Sequence, residues 1–322
     1  MTDQYAIDPD PTDAVITWVD GTDPSHRALR EQHLASARAP AHENAINPHR
    51  WACNGEIFYC LRSLGNHAPW LRTIWIVVED RLPDLSGLPK ALQAKIRRVT
   101  HRELFKGFED NLPTFNALSI ESLLWRIPGL AEQFLYFNDD VFLTAPLSRS
   151  DVFRSGAPVL RGKWRNYSSL ENTASSRTDP ALFNHWMQIN AAKAVGLKAD
   201  RLFASAHVGF PMRRTVMASL HAQHPELFSR NASHRFRDIS QFLPQALHNH
   251  KCLLSNNAIV LDDRDYIHIS SGAGTDGTGD AVRQDLRRAT TPGIKFLCIN
   301  DLPQLESIIP EARDWIARAI GA

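Results

Sequence analysis

Three short apolar runs, each closing on acidic or amide residues, restrict this chain to a small set of folds. Ala14-Val-Ile-Thr-Trp-Val19 runs into Asp20 and Gly21, Thr73-Ile-Trp-Ile-Val-Val78 into Glu79 and Asp80, and Phe134-Leu-Tyr-Phe137 into Asn138, Asp139 and Asp140. Runs this short, rich in β-branched and aromatic residues, specify strands. Strands that are apolar almost throughout are covered on both faces, as in parallel sheets. Helical segments separate them. Ser25 to Arg38 is charged and helical. From Glu56 to Leu64, residues Ile57, Cys60, Leu61 and Leu64 fall at i, i+3, i+4 and i+7, with Asn54 as N-cap and with Gly65 and Pro69 as the stop. Pro89 to Lys95 leads to a strand at Ile96 to Thr100. Pro113-Thr114 opens the next helix, with Thr114 as its cap and Ile120, Leu123, Leu124 and Ile127 as its apolar face. Strand alternating with helix over residues 14–143 predicts an α/β fold: a Rossmann-like, mostly parallel sheet flanked by helices. In such a sheet the acids share the carboxyl edge, where ligands bind.

The second half reads as helix-rich. Arg149 to Thr178 is loop-rich, Pro180 to Val195 is a helix closed by Gly196, and Met212 to Gln223 and Ile239 to Asn249 are helical, the last interrupted by Pro244. Short strands are expected at Ala258 to Leu261, Tyr266 to Ile269 and Lys295 to Ile299. An amphipathic tail from Pro303 to Ile320 is split at Pro310. The chain thus divides into 1–148, the α/β half, and 149–322, a helix-rich half completing the same domain.

Composition narrows the class of partner. With a net charge of +1 over 322 residues there is no basic stripe for nucleic acid. Cys53, Cys60, Cys252 and Cys298 form no Cys-x-x-Cys pair, which fits reduced thiols. The polar N-terminus is not a signal peptide and no run has the length of a membrane span, so a cytoplasmic protein is expected, with the tail docked on the core and peripheral association with a membrane or partner surface as the alternative.

Adjacent carboxylates at a strand end repel unless a cation or proton intervenes, and Mg²⁺ is commonly held by one or two carboxylates plus phosphate oxygens. Asp139 and Asp140 therefore lead the metal candidates; a polar turn is the plain alternative. His207, among small neighbours, is a candidate base, and Arg237 a candidate phosphate clamp. Asp262, Asp263 and Asp265 read as a surface turn with metal binding as the alternative. Gly272-Ala-Gly274-Thr-Asp-Gly277 matches G-x-G-x-x-G, with Asp301 at the right remove for a ribose contact, so a dinucleotide site competes with a flexible lid there.

Taken together, the motifs resemble the Stealth-type sugar-1-phosphate transferases. Val15-Ile-Thr-Trp-Val-Asp-Gly-Thr-Asp-Pro24 is similar to the first block of that family. Arg50 to Trp70, with Asn54-Gly-Glu56, Tyr59 and Leu61-Arg-Ser-Leu64, resembles the second, which continues through Asn111-Leu-Pro-Thr-Phe115, Ile120-Glu-Ser122 and Phe137-Asn-Asp-Asp140. Ser205-Ala-His207 with Arg237 resembles the third block, and Lys295-Phe-Leu-Cys-Ile-Asn-Asp301 the fourth. The chain departs from the family pattern at Ala52-Cys53, Glu79-Asp80, Gly209 and Gln241. The resemblance implies a GT-A-related core, a divalent cation (Mg²⁺ or Mn²⁺), a nucleotide-diphosphate sugar donor such as UDP-N-acetylglucosamine, and transfer of sugar-1-phosphate to a saccharide hydroxyl. By resemblance and position, Asp140 and Asn300 are the first metal ligands, with Asp139 and Asp301 near. His207, Arg237 and Glu121 are the catalytic candidates, and Trp18, Asp20, Gly21, Asn54 and Arg62 the donor contacts. A nicotinamide-dependent oxidoreductase, a metal-dependent phosphohydrolase and a non-catalytic nucleotide-binding relative are the competing classes.

Overall fold

The structure, a computed structural model, describes residues 11–36, 42–261 and 264–321. Its centre is a five-stranded sheet. Strands β1 (Thr12–Thr17), β2 (Ile74–Val78), β3 (Ile96–Thr100) and β4 (Gln133–Asn138) are mutually parallel where they pair. β4 turns at Asp139 and Asp140 into β5 (Val141–Leu143), which leaves for a different sheet. Further on lie β6 (Phe153–Arg154), β7 (Ala157–Arg165), β8 (Leu202–Ser205) and β9 (Phe210–Arg213), and β9 closes the central sheet antiparallel to β4. β10 (Ile259–Leu261) pairs β7, while β11 (Tyr266–Ile269) and β12 (Phe296–Ile299) form a three-stranded sheet with β5.

The central order is β3-β2-β1-β4-β9. The chain adds β2 and β3 on one side of β1, then crosses to add β4 on the other. That reversal makes the β1/β4 crevice the topological switch point, where open α/β sheets bind ligands. In register, Thr17 lies opposite Asn138, so Trp18 and Asp139 emerge side by side. The expected parallel sheet with acid-ended strands on one edge is thus observed.

Strand periodicity sorts the core. Ala14, Ile16, Ile76, Leu135 and Phe137 enter one hydrophobic cluster, while Val15, Val77, Phe134 and Tyr136 enter the other, as alternation across a pleated strand requires. Each buried Val, Leu, Ile or Phe side chain among them contributes about 1.5–3 kcal/mol. At the opposite edge of the sheet, Asp13 is fully buried. It accepts Arg72 Nε and Nη2 at 2.8 and 2.6 Å, the Trp75 indole N–H at 2.9 Å and the Ala131 N–H at 2.9 Å. This one carboxylate ties together β1, the start of β2 and the approach to β4.

Several helix boundaries differ from expectation for identifiable reasons. The helix Glu56–His67 passes through Gly65, and Asn54 is not its cap: Gly55 occupies that position with φ of 85°, while Asn54 uses its N–H and Nδ2 on the Glu56 carboxylate. Asn116, not Thr114, caps the short helix Ala117–Glu121 by accepting the Leu118 N–H at 3.1 Å. Pro244 starts the helix Pro244–Leu254 instead of interrupting one, as a residue without an N–H fits a first turn. Met212 belongs to β9, and the loop-rich 149–178 segment contains the nine-residue strand β7. The tail forms helices Leu302–Ile308 and Ala312–Ala319, split at Pro310 as expected, and Leu305, Ile309, Ala312 and Ile316 of this tail dock on the core. Asp262 and Asp263 lie outside the described residues. Asp265 is no metal ligand; both its oxygens accept the buried Arg161 guanidinium at 2.7 Å.

Candidate active site

The β4–β5 turn places Asp139 and Asp140 where the two sheets meet. β12 runs antiparallel to β5, with Cys298 opposite Val141, and the Ile299 N–H donates to the Asp140 carbonyl at 3.1 Å. Asn300, the next residue, therefore arrives beside Asp140, and its Nδ2 donates to Asp140 Oδ2 at 2.9 Å. The other end of the amide, Oδ1, meets His268 Nε2 at 2.5 Å. His268 stands on β11, opposite Cys298, and its ring stacks on His207 with centroids 4.3 Å apart and planes within 6°. Asp140, Asn300, His268 and His207 thus form one continuous line of contacts drawn from four separate segments.

The second Asp140 oxygen, Oδ1, is buried without a hydrogen-bond partner. A buried carboxylate oxygen left unsatisfied is costly, and this one belongs to the carboxylate whose other oxygen holds Asn300. Oxygen donors of this kind suit a hard divalent cation, so Asp140 and Asn300 fit Mg²⁺ or Mn²⁺. Asp139 stands beside Asp140 and gives up its proton reluctantly. Its carboxyl is pushed up to about 8 by burial, by Asp140 and by Glu56. Asp140 is also raised by burial, against the hydrogen bond from Asn300 that lowers it. Three carboxylates in one partly buried corner call for a counter-charge.

Cationic groups lie within electrostatic reach of this centre. Arg237 is partly buried rather than a solvated surface charge; burial lowers its pKa, and Glu121, Tyr136 and Asp140 oppose that shift. Arg50 is pushed down to about 9 by burial and by the charge of Arg237. Two guanidiniums held near each other are the arrangement that a phosphate relieves. His207 is pushed down to about 4 by burial, then by His268 and Arg237, so its imidazole is neutral at pH 7 and free to accept a proton. Glu121 is only 5% exposed, which rules out a solvated helix charge. It accepts the Tyr136 hydroxyl at 3.0 Å, Thr17 meets that hydroxyl at 3.1 Å, and Glu121 Oε2 is left buried and unpartnered. Burial raises its pKa, against the pull of Arg237.

The remaining predicted residues divide. Trp18, Asp20 and Gly21 follow β1 directly beside this centre. Asp20 Oδ1 is engaged by its own turn, accepting the Thr22 N–H at 3.0 Å. Gly21 is required by packing, since a Cβ there would lie 1.5 Å from the Trp51 carbonyl oxygen. Gly209, two residues beyond His207, is likewise fixed: a Cβ would meet the Phe137 ring at 2.4 Å. Asn54 supports Glu56 and thereby the acidic corner. Arg62 is exposed, donates to the Gly87 carbonyl at 3.3 Å, and borders a separate groove with Phe58, Tyr59 and Arg313. Asp301 is committed elsewhere: it caps the helix Leu302–Ile308 through the Gln304 N–H at 3.2 Å and accepts the Ser271 hydroxyl at 3.2 Å. The Gly272 N–H donates to Gln304 Oε1 at 2.8 Å. The glycine loop and its acid are thus bonded to the tail, which takes from the dinucleotide reading the groups it needs. Sequence reasoning missed Arg50, Glu56, His268 and Cys298 as members of the site. His268 alternates with buried Ile267 and Ile269 on a three-strand edge, and only the pairing of β11 with β12 reveals it.

A metal-compatible carboxylate centre at the switch point of a parallel α/β sheet, with arginines and a neutral histidine nearby, combines the kinds of group that phosphoryl transfer uses for charge neutralisation and positioning. The chain belongs to the Stealth protein family: conserved region 1 of that family matches residues 10–36 and conserved region 2 matches residues 50–159. An exopolysaccharide phosphotransferase of Streptomyces coelicolor is 35% identical over 241 residues, covering 73% of this chain and 42% of the relative. A second one from that organism is 31% identical over 315 residues, covering 96% and 49%. The exopolysaccharide phosphotransferase CpsY of Mycobacterium tuberculosis is 29% identical over 302 residues, covering 90% and 52%. The chain spans about half the length of these curated relatives. Among solved structures, the galactosyltransferase LgtC aligns over 94% of this chain and 95% of its own at 11% identity and a TM-score of 0.44, a value too low to carry an argument.

Proposed function

We propose that this chain transfers a sugar-1-phosphate from a nucleotide-diphosphate sugar, UDP-N-acetylglucosamine or a related hexose donor, to a hydroxyl of a saccharide acceptor. A nucleoside monophosphate is released, and the product enters exopolysaccharide synthesis. The observation that carries this reading is the unbroken line from Asp140 through Asn300 and His268 to His207, with Arg237 alongside. The relatives' names support the same class of reaction.

In this reading Asp140 and Asn300 hold Mg²⁺ or Mn²⁺, which when bound neutralises charge on the diphosphate. Arg237 and Arg50 bind the phosphate oxygens. Trp18, Asp20 and Gly21 border the nucleotide. The acceptor hydroxyl donates its proton to the neutral His207 imidazole as its oxygen attacks the β-phosphorus. The bond from that phosphorus to the bridging oxygen breaks, and the α-phosphate departs with the nucleoside. The sugar C1–O bond is untouched, so anomeric configuration is kept. Glu121, through Tyr136 and the charge of Arg237, holds the arginine in place. As part of this proposal the reaction takes place on the cytoplasmic side. Among the described residues no helix is long and apolar enough to cross a membrane.

The test is product analysis with a UDP-sugar, Mg²⁺ or Mn²⁺ and an oligosaccharide acceptor. Transfer yields a phosphodiester-linked sugar and UMP, whereas free sugar-1-phosphate with UMP means hydrolysis. His207→Ala lowers turnover by about 10²–10⁴-fold if His207 is the base; unchanged turnover returns it to a packing role.

A further inference from the structure

The geometry points to a second cation site, formed by His207, His268 and Cys298, that takes a borderline-soft ion such as Zn²⁺ and on filling withdraws His207 from the transfer reaction. One potential ligand atom from each of the three residues lies within 4.8 Å of the other two. They come from three segments: His207 just after β8, His268 on β11 and Cys298 on β12. The pairing of β11 with β12 sets His268 and Cys298 side by side, and the ring stack brings in His207.

The donor set differs in kind from the carboxylate and amide oxygens of Asp140 and Asn300. Imidazole and thiolate select Zn²⁺ and its neighbours in the first transition row, whereas Mg²⁺ prefers oxygen. In a tetrahedral site with Zn–N near 2.0–2.1 Å and Zn–S near 2.3 Å, ligand atoms stand roughly 3.3–3.8 Å apart. Closing from 4.8 Å requires about 1 Å of movement. His268 can supply it, because it is exposed and held only by the ring stack and by Asn300. The two imidazoles are stacked with nearly parallel planes, so that movement is a tilt of the His268 ring out of the stack.

Cys298 is fully buried and its sulfur already receives Asn300 Nδ2 at 3.4 Å, so the amide fixes the sulfur's position beside His268. Ion binding exchanges the thiol proton for the metal: the S–H bond is lost, an S–metal bond forms, and the proton passes to solvent. The His207 lone pair is then coordinated and cannot accept the acceptor's proton. That inhibitory consequence rests on the function proposed above, while the binding does not.

Titration of the metal-free full-length chain with Co²⁺ separates the two. The expected result is a near-ultraviolet thiolate-to-cobalt charge-transfer band at one equivalent. It should survive in Cys53→Ser, vanish in Cys298→Ser, and require at least about tenfold more Co²⁺ in His268→Ala, which changes an exposed side chain and avoids the buried cysteine. A wild-type chain without the band, or a band that persists in Cys298→Ser, overturns the site. A band that forms while Zn²⁺ leaves Mg²⁺-supported turnover unchanged overturns the coupling to His207 and counts against its role as base.

Discussion

Removing one charge from the acidic corner should stabilise the metal-free protein, in a pH window fixed by the corner itself. Asp139 faces Asp140 and Glu56, and its carboxyl is raised from 3.8 to about 8. At pH 7.5 the folded chain keeps a proton that the unfolded chain has released. At 1.36 kcal/mol per unit that would cost up to about 5 kcal/mol. The side chain is only partly buried, and solvent reduces the figure to about 2–3 kcal/mol. Because the native pKa lies above the unfolded one, the cost is absent below about pH 4, grows as pH rises, and levels off past about 8. Asp139→Asn abolishes it. With an unfolding entropy of about 2.1 cal/mol/K per residue, a chain of 322 residues gains about 1.5 °C per kcal/mol. The variant should therefore melt about 3–5 °C higher than the parent at pH 8 in chelator and at the same temperature near pH 4. Adding Mg²⁺ or Mn²⁺ should raise the parent's Tm more than the variant's, because the cation supplies the counter-charge that the substitution makes unnecessary. Calorimetry across pH 4–8, with and without divalent cation, decides this. A variant equally or less stable at pH 8, or an advantage that shrinks as pH rises, refutes the electrostatic account of the corner.

Two further predictions concern the scaffold. Asp13→Ala leaves Arg72, the Trp75 N–H and the Ala131 N–H without their acceptor and should destabilise by about 2–4 kcal/mol, chiefly through the two stranded N–H donors, because Arg72 is partly exposed; KM of the folded fraction should be unchanged, since Asp13 lies at the far edge of the sheet, and a denaturant midpoint like the parent's would contradict its role. His101, His207, His248 and His250 are all held down to about 4 by burial, so each is neutral when folded and charges when unfolded; stability should be full above about pH 6.5 and fall steadily between about 6.5 and 4, a decline that equilibrium unfolding at fixed salt would reveal and that a flat profile would exclude.

The central sheet was legible because its strands are buried on both faces and carry uninterrupted apolar runs, and because their carboxyl ends hold acids that a covered strand would not tolerate. The switch point itself was not, since strand order depends on which strand β4 joins and no local signal encodes that. Asp140 and Asn300 lie 160 residues apart, and only motif resemblance linked them; the physical link is β5, a three-residue strand too short to read, which carries the Asp turn into the sheet of β12. Asp301 and Arg62 sit in the right motifs, yet their side chains serve a helix cap and a loop carbonyl. The Asp301 cap and the Asn54–Glu56 pair are local contacts that compete with a ligand role, whereas the carbonyl partner of Arg62 lies 25 residues away and is set by tertiary approach. His268 and Arg50 were invisible for the same reason: each gains meaning only from a neighbour far off in sequence.

The central claim, that Asp140 and Asn300 hold the cation for phosphoryl transfer, is tested most directly by Asp140→Asn. The substitution preserves size and can still meet Asn300, so the fold should be kept, as checked by circular dichroism. With a UDP-sugar and acceptor, the parent should release UMP and form the phosphodiester product in proportion to Mg²⁺ or Mn²⁺. The variant should do neither at any cation concentration, a loss of at least about 10³-fold. Undiminished, cation-dependent product formation by a folded Asp140→Asn chain would contradict the account.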